Sequence, residues 1–383
     1  MKKSVLALAF CAAASIAAHG ESLRLCSYNV RCPGDKGENH WNNRCWAVCR
    51  LVKEISPDIV GFQEPQPKQR KHITDRTKEE FGGKDVVRFK TSRIERLAGN
   101  TFFVSNTPWK SSRSFGSKQA RWAECALCRD KKTGQLVYFV STHLDLNFGA
   151  QPRQMRVILG RLKAFMEAGV PVVLVGDHNC WESQECAKTA REVLKDSLYA
   201  TETPPEGPWR TYCGYKFIEP DGEWLVEDAL KATPEERTAS DERQVHGGRR
   251  IDFLYVSPDV KVKSYKVWNN QKPGKPGHYP SDHFPVSIDV ELPRDAGRLV
   301  KVWTGKGDGR KFSDAANWHD GTRPKGGETA VFCLVNDAEV ECDLEGADMR
   351  AVISIGKGDV TLPEGASWGK TTKFRQPSCW VMD

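Results

Sequence analysis

Beyond residue 20, the sequence lacks two features that would assign it to a simple class of protein. It has no apolar run of about 20 residues, the length that a membrane-spanning helix needs, so no later segment is expected to cross a bilayer. It also has no dense basic segment, since 57 Lys and Arg stand against 50 Asp and Glu, for a net charge of +7. This small excess of positive charge is not typical of a dedicated nucleic-acid-binding protein, although it is compatible with a polyanionic substrate.

Residues 1–20 have the pattern of a secretory signal peptide. Lys2 and Lys3 form a charged start, an apolar stretch follows from Val5 to Ala18, and small residues precede a cleavage point after Gly20. We therefore expect a secreted or periplasmic protein. Its mature chain would keep a net charge of +5, because two of the lysines behind the total of +7 leave with the peptide.

The 13 cysteines bear on the redox state of the chain. An exported protein meets an oxidising compartment, so we expect disulfides among the cysteines that remain after cleavage, in a pairing that sequence alone does not give. Cys125 and Cys128 have the spacing of a metal-binding pair. A strand at this position would point their thiols to opposite faces, so a zinc site is not predicted there.

The order of apolar segments predicts a mixed α/β unit followed by a smaller one. Strands are predicted at 23–30, 58–62, 101–105, 122–127, 136–141, 171–175, 251–256 and 284–290, and helices at 41–55, 66–81 and 151–167. Strands and helices alternate only in part, which favours a mixed pair of sheets flanked by helices. After Pro293 helical periodicity ends, and turn residues surround short runs at 329–335 and 351–355. We therefore predict a catalytic domain at 21–293 and a small Gly/Trp-rich all-β module at 294–383.

Polar side chains interrupt or end most of the apolar strand-like runs. They are Asn29, Glu64, His143, Asp145, Asp177, Asn179, Asp252, Asp282 and His283. Strands that finish in carboxylates, amides and imidazoles place polar chemistry at one edge of a sheet, where α/β proteins build their sites. These residue types suit a hard divalent cation with two acid–base histidines, which indicates metal-assisted hydrolysis of a phosphate ester.

Two groups of these residues carry the chemical argument. Asp177 and Asn179 are two residues apart in a segment predicted to be extended, so their side chains should point to the same face. The side chain of His178 should then point to the opposite face and pack in the protein interior. Near Asp282 or Asp252, the imidazole of His283 would be a good general base, because one carboxylate can orient it while the other holds a metal.

Together the ordered motifs resemble the endonuclease/exonuclease/phosphatase superfamily of deoxyribonuclease I-like proteins, in a secreted bacterial type. The resemblance covers about residues 22–292. It implies a four-layered α/β sandwich with two mixed β-sheets flanked by helices, with the small all-β module outside it. One departure is that the family's Gly-Asp-Phe-Asn reads Gly176-Asp177-His178-Asn179 here.

The resemblance also implies which residues hold the metal and the phosphate. Glu64 resembles the principal metal ligand, and Asp282 the further acidic residue beside the metal. Asn29, Asp177 and Asn179 resemble residues that hold the metal, the scissile phosphate and the attacking water. The expected cofactor is Mg²⁺, with Mn²⁺ or Ca²⁺ as substitutes.

The remaining implied roles concern proton transfer and substrate contacts. Asp252 and His283 resemble the dyad whose imidazole activates water. His143 resembles the imidazole that stabilises the phosphate or protonates the leaving oxygen. Arg121 matches a basic position expected to contact phosphate, and Asp145 would orient His143 or bind substrate.

The predicted function is that of a secreted Mg²⁺-dependent phosphoesterase, nuclease-like or phosphodiesterase-like, acting on a phosphodiester or phosphomonoester. The substrate stays open between nucleic acid, a phosphorylated small molecule and a lipid headgroup. A basic helix with Lys68, Arg70, Lys71, Arg76 and Lys78 can either track a polyphosphate or be a solvated face. The alternative function is an inactive secreted binding or adhesion protein that works through surface or carbohydrate contacts of the β module.

Overall fold

The computed structural model describes most of the chain after residue 21. It covers residues 22–78, 80–82, 86–104, 121–216, 222–244, 248–269, 279–334, 340–341, 343, 349–356, 360–361 and 370–375. The predicted signal peptide at 1–20 lies outside the described residues, and so do parts of the C-terminal module.

Seven α-helices and eighteen β-strands are described. The helices are α1 Trp41–Ile55, α2 Pro67–Thr77, α3 Gln151–Glu167, α4 Glu185–Arg191, α5 Ser197–Ala200, α6 Val226–Lys231 and α7 Pro234–Arg243. The first twelve strands are β1 Leu23–Asn29, β2 Ile59–Gln63, β3 Phe81–Gly82, β4 Val87–Lys90, β5 Ile94–Phe103, β6 Trp122–Asp130, β7 Leu136–His143, β8 Val172–Asp177, β9 Lys195–Asp196, β10 Asp252–Val256, β11 Lys261–Val267 and β12 Val286–Glu291. The last six are β13 Val300–Trp303, β14 Thr329–Leu334, β15 Val340–Glu341, β16 Ala351–Gly356, β17 Val360–Thr361 and β18 Lys370–Arg375.

Two six-stranded mixed sheets form the centre of the protein. The first has the order β11-β12-β1-β2-β4-β3 and the second the order β5-β6-β7-β8-β10-β9. Only the neighbours β1/β2 and β7/β8 run parallel, and the other pairs are antiparallel. The predicted pair of mixed sheets is therefore confirmed.

The helices cover the outer faces of the two sheets. One core lies between the sheets, where Leu25 and Ile59 of the first pack with Phe139 and Val175 of the second. Helix α1 packs on the outer face of the first sheet and α3 on that of the second, which gives four layers. At Gly61 the sheets approach so closely that a Cβ would lie 2.7 Å from the Ser141 Cβ.

Helices α1 and α3 follow from their apolar periodicity. In α1 the face that includes Val48, Val52 and Ile55 is buried, while the opposite face is exposed. The helix begins after His40, whose ring nitrogen accepts from Asn42 N, and it ends at Ser56 in the left-handed region (φ 48°) just before a proline. Both helices have the bounds predicted from sequence.

The strand register brings the polar strand ends to one edge of the sandwich. Asn29 at the end of β1 lies opposite Gln63 at the end of β2. In the second sheet, Asp177 at the end of β8 lies opposite both His143 on β7 and Asp252 on β10. Carboxyl ends of the parallel strands and amino ends of their antiparallel partners thus meet at this edge.

The C-terminal strands form a small sheet of their own, with the order β13-β14-β16-β18, in which every pair is parallel. A second parallel pair joins β15 to β17. Val302, Val331 and Ile353 of this sheet share a core with α3, and Gly297 N donates to Gly169 O at 2.8 Å. The boundary near residue 293 remains a prediction.

Nine cysteines among the described residues carry free thiols, so none of the expected disulfides is present between them. Cys125 faces the α3 side of its sheet and Cys128 faces the space between the sheets, as their spacing in a strand predicts. In the part of the chain that the structure describes, no helix has both the length and the apolar character needed to cross a membrane.

Candidate active site

Asn29 bridges two carboxylates at the edge of the sandwich. Its Nδ2 donates to Glu64 Oε1 at 3.1 Å and to Asp177 Oδ2 at 3.0 Å, while its Oδ1 accepts from Arg31 N at 2.9 Å. Asn29 is fully buried, so its amide is held in this orientation. One amide therefore joins the first sheet to the second where the predicted site residues meet.

Glu64 leaves strand β2 in a left-handed conformation, with φ 65°. Glutamate rarely adopts this region, and such strain is found where the surrounding structure fixes a functional residue. Its Oε2 accepts from Cys32 N at 2.8 Å. Burial alone would raise the pKa of Glu64, but His143, the Cys32 N–H and the Asn29 amide together lower it to about 2.

Asp177 and Asn179 both face the site, but the reason expected from sequence was wrong. Strand β8 ends at Asp177, and Asn179 has φ 51°, so the two residues do not share an extended stretch. A tight turn brings them together, because Asp177 Oδ1 accepts from Asn179 N at 2.9 Å and Asn179 Nδ2 donates to Leu144 O at 3.0 Å. Gly176 permits the close approach of the chains, since a Cβ there would lie 1.9 Å from Thr142 O.

His178 packs away from the site, as predicted. It is fully buried, and its ring stacks on Phe253 and Tyr255 at centroid distances of 5.5 and 5.6 Å. Burial lowers its pKa to about 3, so the ring is neutral. Neither ring nitrogen has a hydrogen-bond partner among the described residues.

His283 is held by Asp252 beneath the site. Nδ1 lies 2.8 Å from Asp252 Oδ2, and Nε2 lies 3.6 Å from Asp177 Oδ2. Thr211 Oγ1 supports the dyad by accepting from Asp252 N at 2.9 Å. Burial lowers the pKa of His283, but Asp252 and Asp177 outweigh it and raise the pKa to about 10.

His143 is the second imidazole of the site. Its Nε2 lies 3.4 Å from Asp177 Oδ2, the oxygen that Asn29 also contacts. Burial lowers the pKa of His143, and Arg121 adds to this effect while Asp177 opposes it. The two imidazoles therefore differ in charge state, with His143 neutral and His283 protonated at neutral pH.

Asp282 lies on the same cavity wall but bonds differently. Its Oδ2 is 3.6 Å from Arg31 Nη1, and burial raises its pKa although His283 and Arg31 oppose the rise. Among the described residues, two groups place ligand atoms within 4.8 Å of one another: Glu64 with His143 and Asp177, and Asp177 with Asp252 and His283. Asp177 belongs to both groups, whereas Asp282 belongs to neither.

A cavity of about 490 Å³ opens above these residues. Seven of the predicted site residues line it: Glu64, Arg121, His143, Asp177, Asn179, Asp282 and His283. Asn29 and Asp252 lie behind them as supports. Asp145 does not line the cavity, and its carboxylate closes a turn by accepting from Asn147 N at 2.9 Å. The predicted contact of Asp145 with His143 is therefore not found, and its substrate role stays a prediction.

Sequence reasoning missed seven residues that line this cavity: Arg31, Cys32, Gln66, Leu146, Tyr212, Arg249 and Ile251. The ring of Tyr212 packs edge-on against His283, with centroids 5.0 Å apart. Arg31 stands two residues after Asn29, so it could have been found from its motif. Tyr212 and Arg249 come from connecting segments that no strand-end pattern marks, and only the folded chain brings them here.

The donor set fits a hard divalent cation. Glu64 and Asp177 offer carboxylate oxygens close together, and Asp282 adds a third carboxylate on the same wall. Oxygen ligands of this kind suit Mg²⁺, Mn²⁺ or Ca²⁺, and Mg²⁺ takes few protein carboxylates because it keeps several waters. The residues do not distinguish between these ions.

A family model for the endonuclease/exonuclease/phosphatase family matches residues 26–283, about two thirds of the chain. With the fold and site described above, the chain belongs to the endonuclease/exonuclease/phosphatase family. Membership supports a phosphoesterase-type hydrolase. A comparison with curated proteins gives no match.

Solved structures show the same fold. An endonuclease/exonuclease/phosphatase from Bacteroides vulgatus superposes with a TM-score of 0.55 and 23% identity, covering 71% of this chain and 99% of its own. A mannosyl-6-phosphatase from Bacteroides thetaiotaomicron VPI-5482 gives 0.54 and 20%, covering 71% and 100%. TDP2 of D. rerio, solved with a single-strand DNA product, gives 0.51 and 18%, covering 71% and 99%. At these identities the likeness establishes the shared deoxyribonuclease I-like fold alone.

Proposed function

We propose that the protein is a secreted, divalent-metal-dependent phosphoesterase in which water, activated by His283, attacks the phosphorus in line. The observation that carries the proposal is the bridge from Glu64 through Asn29 to Asp177, with His283 and Asp252 directly beside it. Strand ends from both sheets contribute to this one cluster. The predicted leader at residues 1–20 supports the proposed secretion.

Glu64 and Asp177 would hold the cation, with Asp282 near it. When bound, a divalent ion there polarises a phosphoryl oxygen and offsets the carboxylate charge that keeps His283 protonated. Mg²⁺ is the proposed ion because it binds through few protein carboxylates and keeps several waters, and Glu64 and Asp177 offer two carboxylates close together.

The dyad of Asp252 and His283 would supply the base. A hydrogen on Nδ1 is donated to Asp252 Oδ2, which fixes the tautomer and directs the Nε2 lone pair toward Asp177 and the cavity. A neutral His283 held in this way can take a proton from a water molecule above Nε2.

His143 and Arg121 would act on the phosphate. Both line the cavity beside Glu64. The low pKa of His143 leaves it neutral, so it can donate one hydrogen bond to a phosphoryl oxygen without adding a charge. Arg121 supplies a guanidinium, whose fork of N–H donors matches phosphate oxygens.

The test is hydrolysis by the mature protein with Mg²⁺ and with EDTA, across a panel of esters. The panel holds duplex and single-stranded DNA, RNA, sphingomyelin, inositol phosphates, sugar phosphates and bis-p-nitrophenyl phosphate. We expect turnover that EDTA removes and added Mg²⁺ restores, with the preferred ester naming the subclass. Absence of turnover with any divalent metal, in protein shown to be folded, would overturn the proposal.

A further inference from the structure

A second cavity of about 290 Å³ adjoins the catalytic cavity. The two share Glu64, Arg121 and His143 as walls, so a group bound in the second cavity would lie next to the scissile phosphate. Its other walls come from β2, β5, β6, β7 and helix α2, with Val86 before β4. Nothing in the proposed mechanism uses this space.

Arg70 is the feature of this second cavity that points to a ligand. It projects from α2 into the lining, and its side chain is half-buried. Within the described residues its guanidinium has no hydrogen bond or ion pair. Its backbone carbonyl, by contrast, accepts from Thr74 and Arg88. An arginine placed in a pocket wall without an internal partner is arranged to receive an anion from outside.

The acidic wall residues of this cavity are already satisfied by donors of the chain. Glu124 accepts from Val86 N and Val87 N, both at 3.1 Å. Glu64 accepts from Asn29 and Cys32. These carboxylates therefore do not need Arg70 as a partner, and the guanidinium is left for the ligand.

The size and polarity of the cavity restrict what that ligand can be. A volume of about 290 Å³ is at the lower end for ligand pockets, on the order of 300 Å³ or more, so it holds one small group. Ser141, Thr101 and Gln63 place hydroxyl and amide groups in the walls beside Phe62 and Trp122. Such mixed walls suit a hydroxylated, charged group better than an acyl chain or a nucleic-acid duplex.

Helix α2 separates two kinds of basic residue. Arg70 lines the cavity, whereas Lys68, Lys71 and Arg76 are exposed, and Lys71 pairs with Asp75 at 2.6 Å. The interpretation of this basic helix as a solvated face therefore fits Lys68, Lys71 and Arg76. Arg70 is the exception.

We infer that this second cavity is a specificity subsite, in which Arg70 binds a second anionic group, phosphate or carboxylate, on a small hydroxylated substrate. The inference rests on the proposed function, since the scissile phosphate must occupy the adjoining catalytic cavity. It names Arg70 as a specificity-determining residue of that site.

The test compares binding of glucose 1,6-bisphosphate and glucose 6-phosphate to wild-type protein, to Arg70→Gln and to Arg76→Gln by calorimetric titration. Arg76 is the matched control because it lies on the same helix, carries the same charge and faces solvent. We expect wild-type protein to bind the bisphosphate more tightly, by on the order of tenfold, as one charged hydrogen-bonded contact would give. Arg70→Gln should lose this preference, and Arg76→Gln should keep it.

Three results would overturn the inference: equal affinities in wild-type protein, an undiminished preference in Arg70→Gln, or an equal loss in both variants. Thermal unfolding of each variant confirms that the fold is kept. Because calorimetry needs no turnover, it judges the subsite separately from the proposed function. Absence of hydrolysis across the ester panel contradicts the function alone, and absence of the binding preference in wild-type protein contradicts the subsite alone.

Discussion

Two regions of the molecule contain buried charged side chains, and the partners of these side chains differ between the regions. The first, the arginine network, consists of Glu182, Asp196, Arg237 and Arg250. Arg250 Nη2 donates to both oxygens of Asp196 at 2.7 and 2.9 Å, and Arg237 Nε donates to Glu182 Oε1 at 2.6 Å. Burial raises the pKa of Glu182, but Arg250, Tyr199 and Arg237 outweigh this and lower it. Each anion of the network therefore has a guanidinium partner.

The second region, the catalytic cluster, consists of Asn29, Glu64, His143, Asp177, Asp252, Asp282 and His283. Its four carboxylates are held mainly by an amide, by backbone N–H groups and by imidazoles, with Arg31 near Asp282 at 3.6 Å. Burial raises the pKa of Asp177 and of Asp282, because nearby groups offset the burial only in part.

The difference separates charges that serve the fold from charges that the proposed chemistry would use. A buried carboxylate that only supports structure needs a cation of the chain, as Asp196 has. In the described part of the catalytic cluster only Asp282 lies near a guanidinium, that of Arg31, and the other carboxylates depend on an amide, backbone N–H groups and imidazoles. The cluster therefore keeps negative charge that an external cation can meet, and such a cation would offset the raised pKa of His283. Four substitutions test this comparison.

Replacing His283 by alanine should have the largest effect. Loss of a positioned general base lowers the rate by about 10²–10⁴-fold. The unfolding temperature should fall as well, because Asp252 and Asp177 are buried and lose the imidazole beside them. Turnover is therefore compared at a temperature where the variant is folded. Steady-state hydrolysis and calorimetric unfolding measure the two effects, and near-normal turnover on every ester would show that the base is another group.

Replacing Asp196 by asparagine should lower stability and leave turnover nearly unchanged. It leaves Arg250 buried without its main anion, which costs about 3–5 kcal/mol when a buried pair is broken. At a temperature where the variant is folded, its turnover should remain within a few-fold of wild type. Denaturant unfolding gives the stability change. A loss of activity without a loss of stability would place the arginine network in catalysis instead.

Asp241, next to the arginine network, should make stability depend on pH. Burial raises the pKa of Asp241 to about 7, although Trp209 Nε1 and Arg250 N donate to its carboxylate. An unfolded Asp loses its proton near about 4. The folded protein therefore holds the extra proton between these values, and its stability falls as pH rises through that window.

Asp241→Asn should remove this pH dependence, because the amide stays neutral and still accepts from Trp209 Nε1. Between pH 4 and 8 the variant should lose less stability than wild type, by roughly 2–4 kcal/mol at about 1.4 kcal/mol per pKa unit. Denaturant unfolding at both pH values provides the measurement. Parallel pH profiles for the two proteins would contradict the assignment.

Replacing His178 by phenylalanine should have the smallest effect. His178 stacks on Phe253 and Tyr255 and leaves both ring nitrogens without partners among the described residues. Removing an unsatisfied buried polar group should raise stability by about 1 kcal/mol. Turnover should change less than twofold, since the ring faces away from the cavity. A large fall in turnover would mean that His178 positions its neighbour Asp177.

Much of the fold was predictable because its signals are local. The periodicity of α1 and α3 gave both helices their observed bounds. Strand β5 was predicted only at 101–105 but spans Ile94–Phe103, because Glu95 and Arg96 interrupt the apolar pattern of its first half, which is held by pairing with β6. The parallel C-terminal sheet was not predicted either, since its strands pair across about 20 residues of chain and no local pattern records that pairing.

The site was predictable where a polar residue ended an apolar strand, as at Asn29, His143 and Asp177. It was not predictable where a turn, or a segment distant in sequence, sets the position of the side chain. Asn179 reaches the cavity through a left-handed turn, and Asp145 turns away to close a loop. Arg70 needed the folded helix, because the nearby Lys68 and Lys71 carry the same charge and face solvent.

The most direct test of the central claim is hydrolysis of bis-p-nitrophenyl phosphate by wild-type protein and Glu64→Gln, measured over a range of Mg²⁺ concentrations after EDTA treatment. The account predicts saturable activation of wild type from a negligible baseline. It predicts little turnover by Glu64→Gln at any Mg²⁺ concentration, with its fold kept. Full turnover by EDTA-treated wild type, or an identical Mg²⁺ response in both proteins, would contradict a cation site at Glu64 and Asp177.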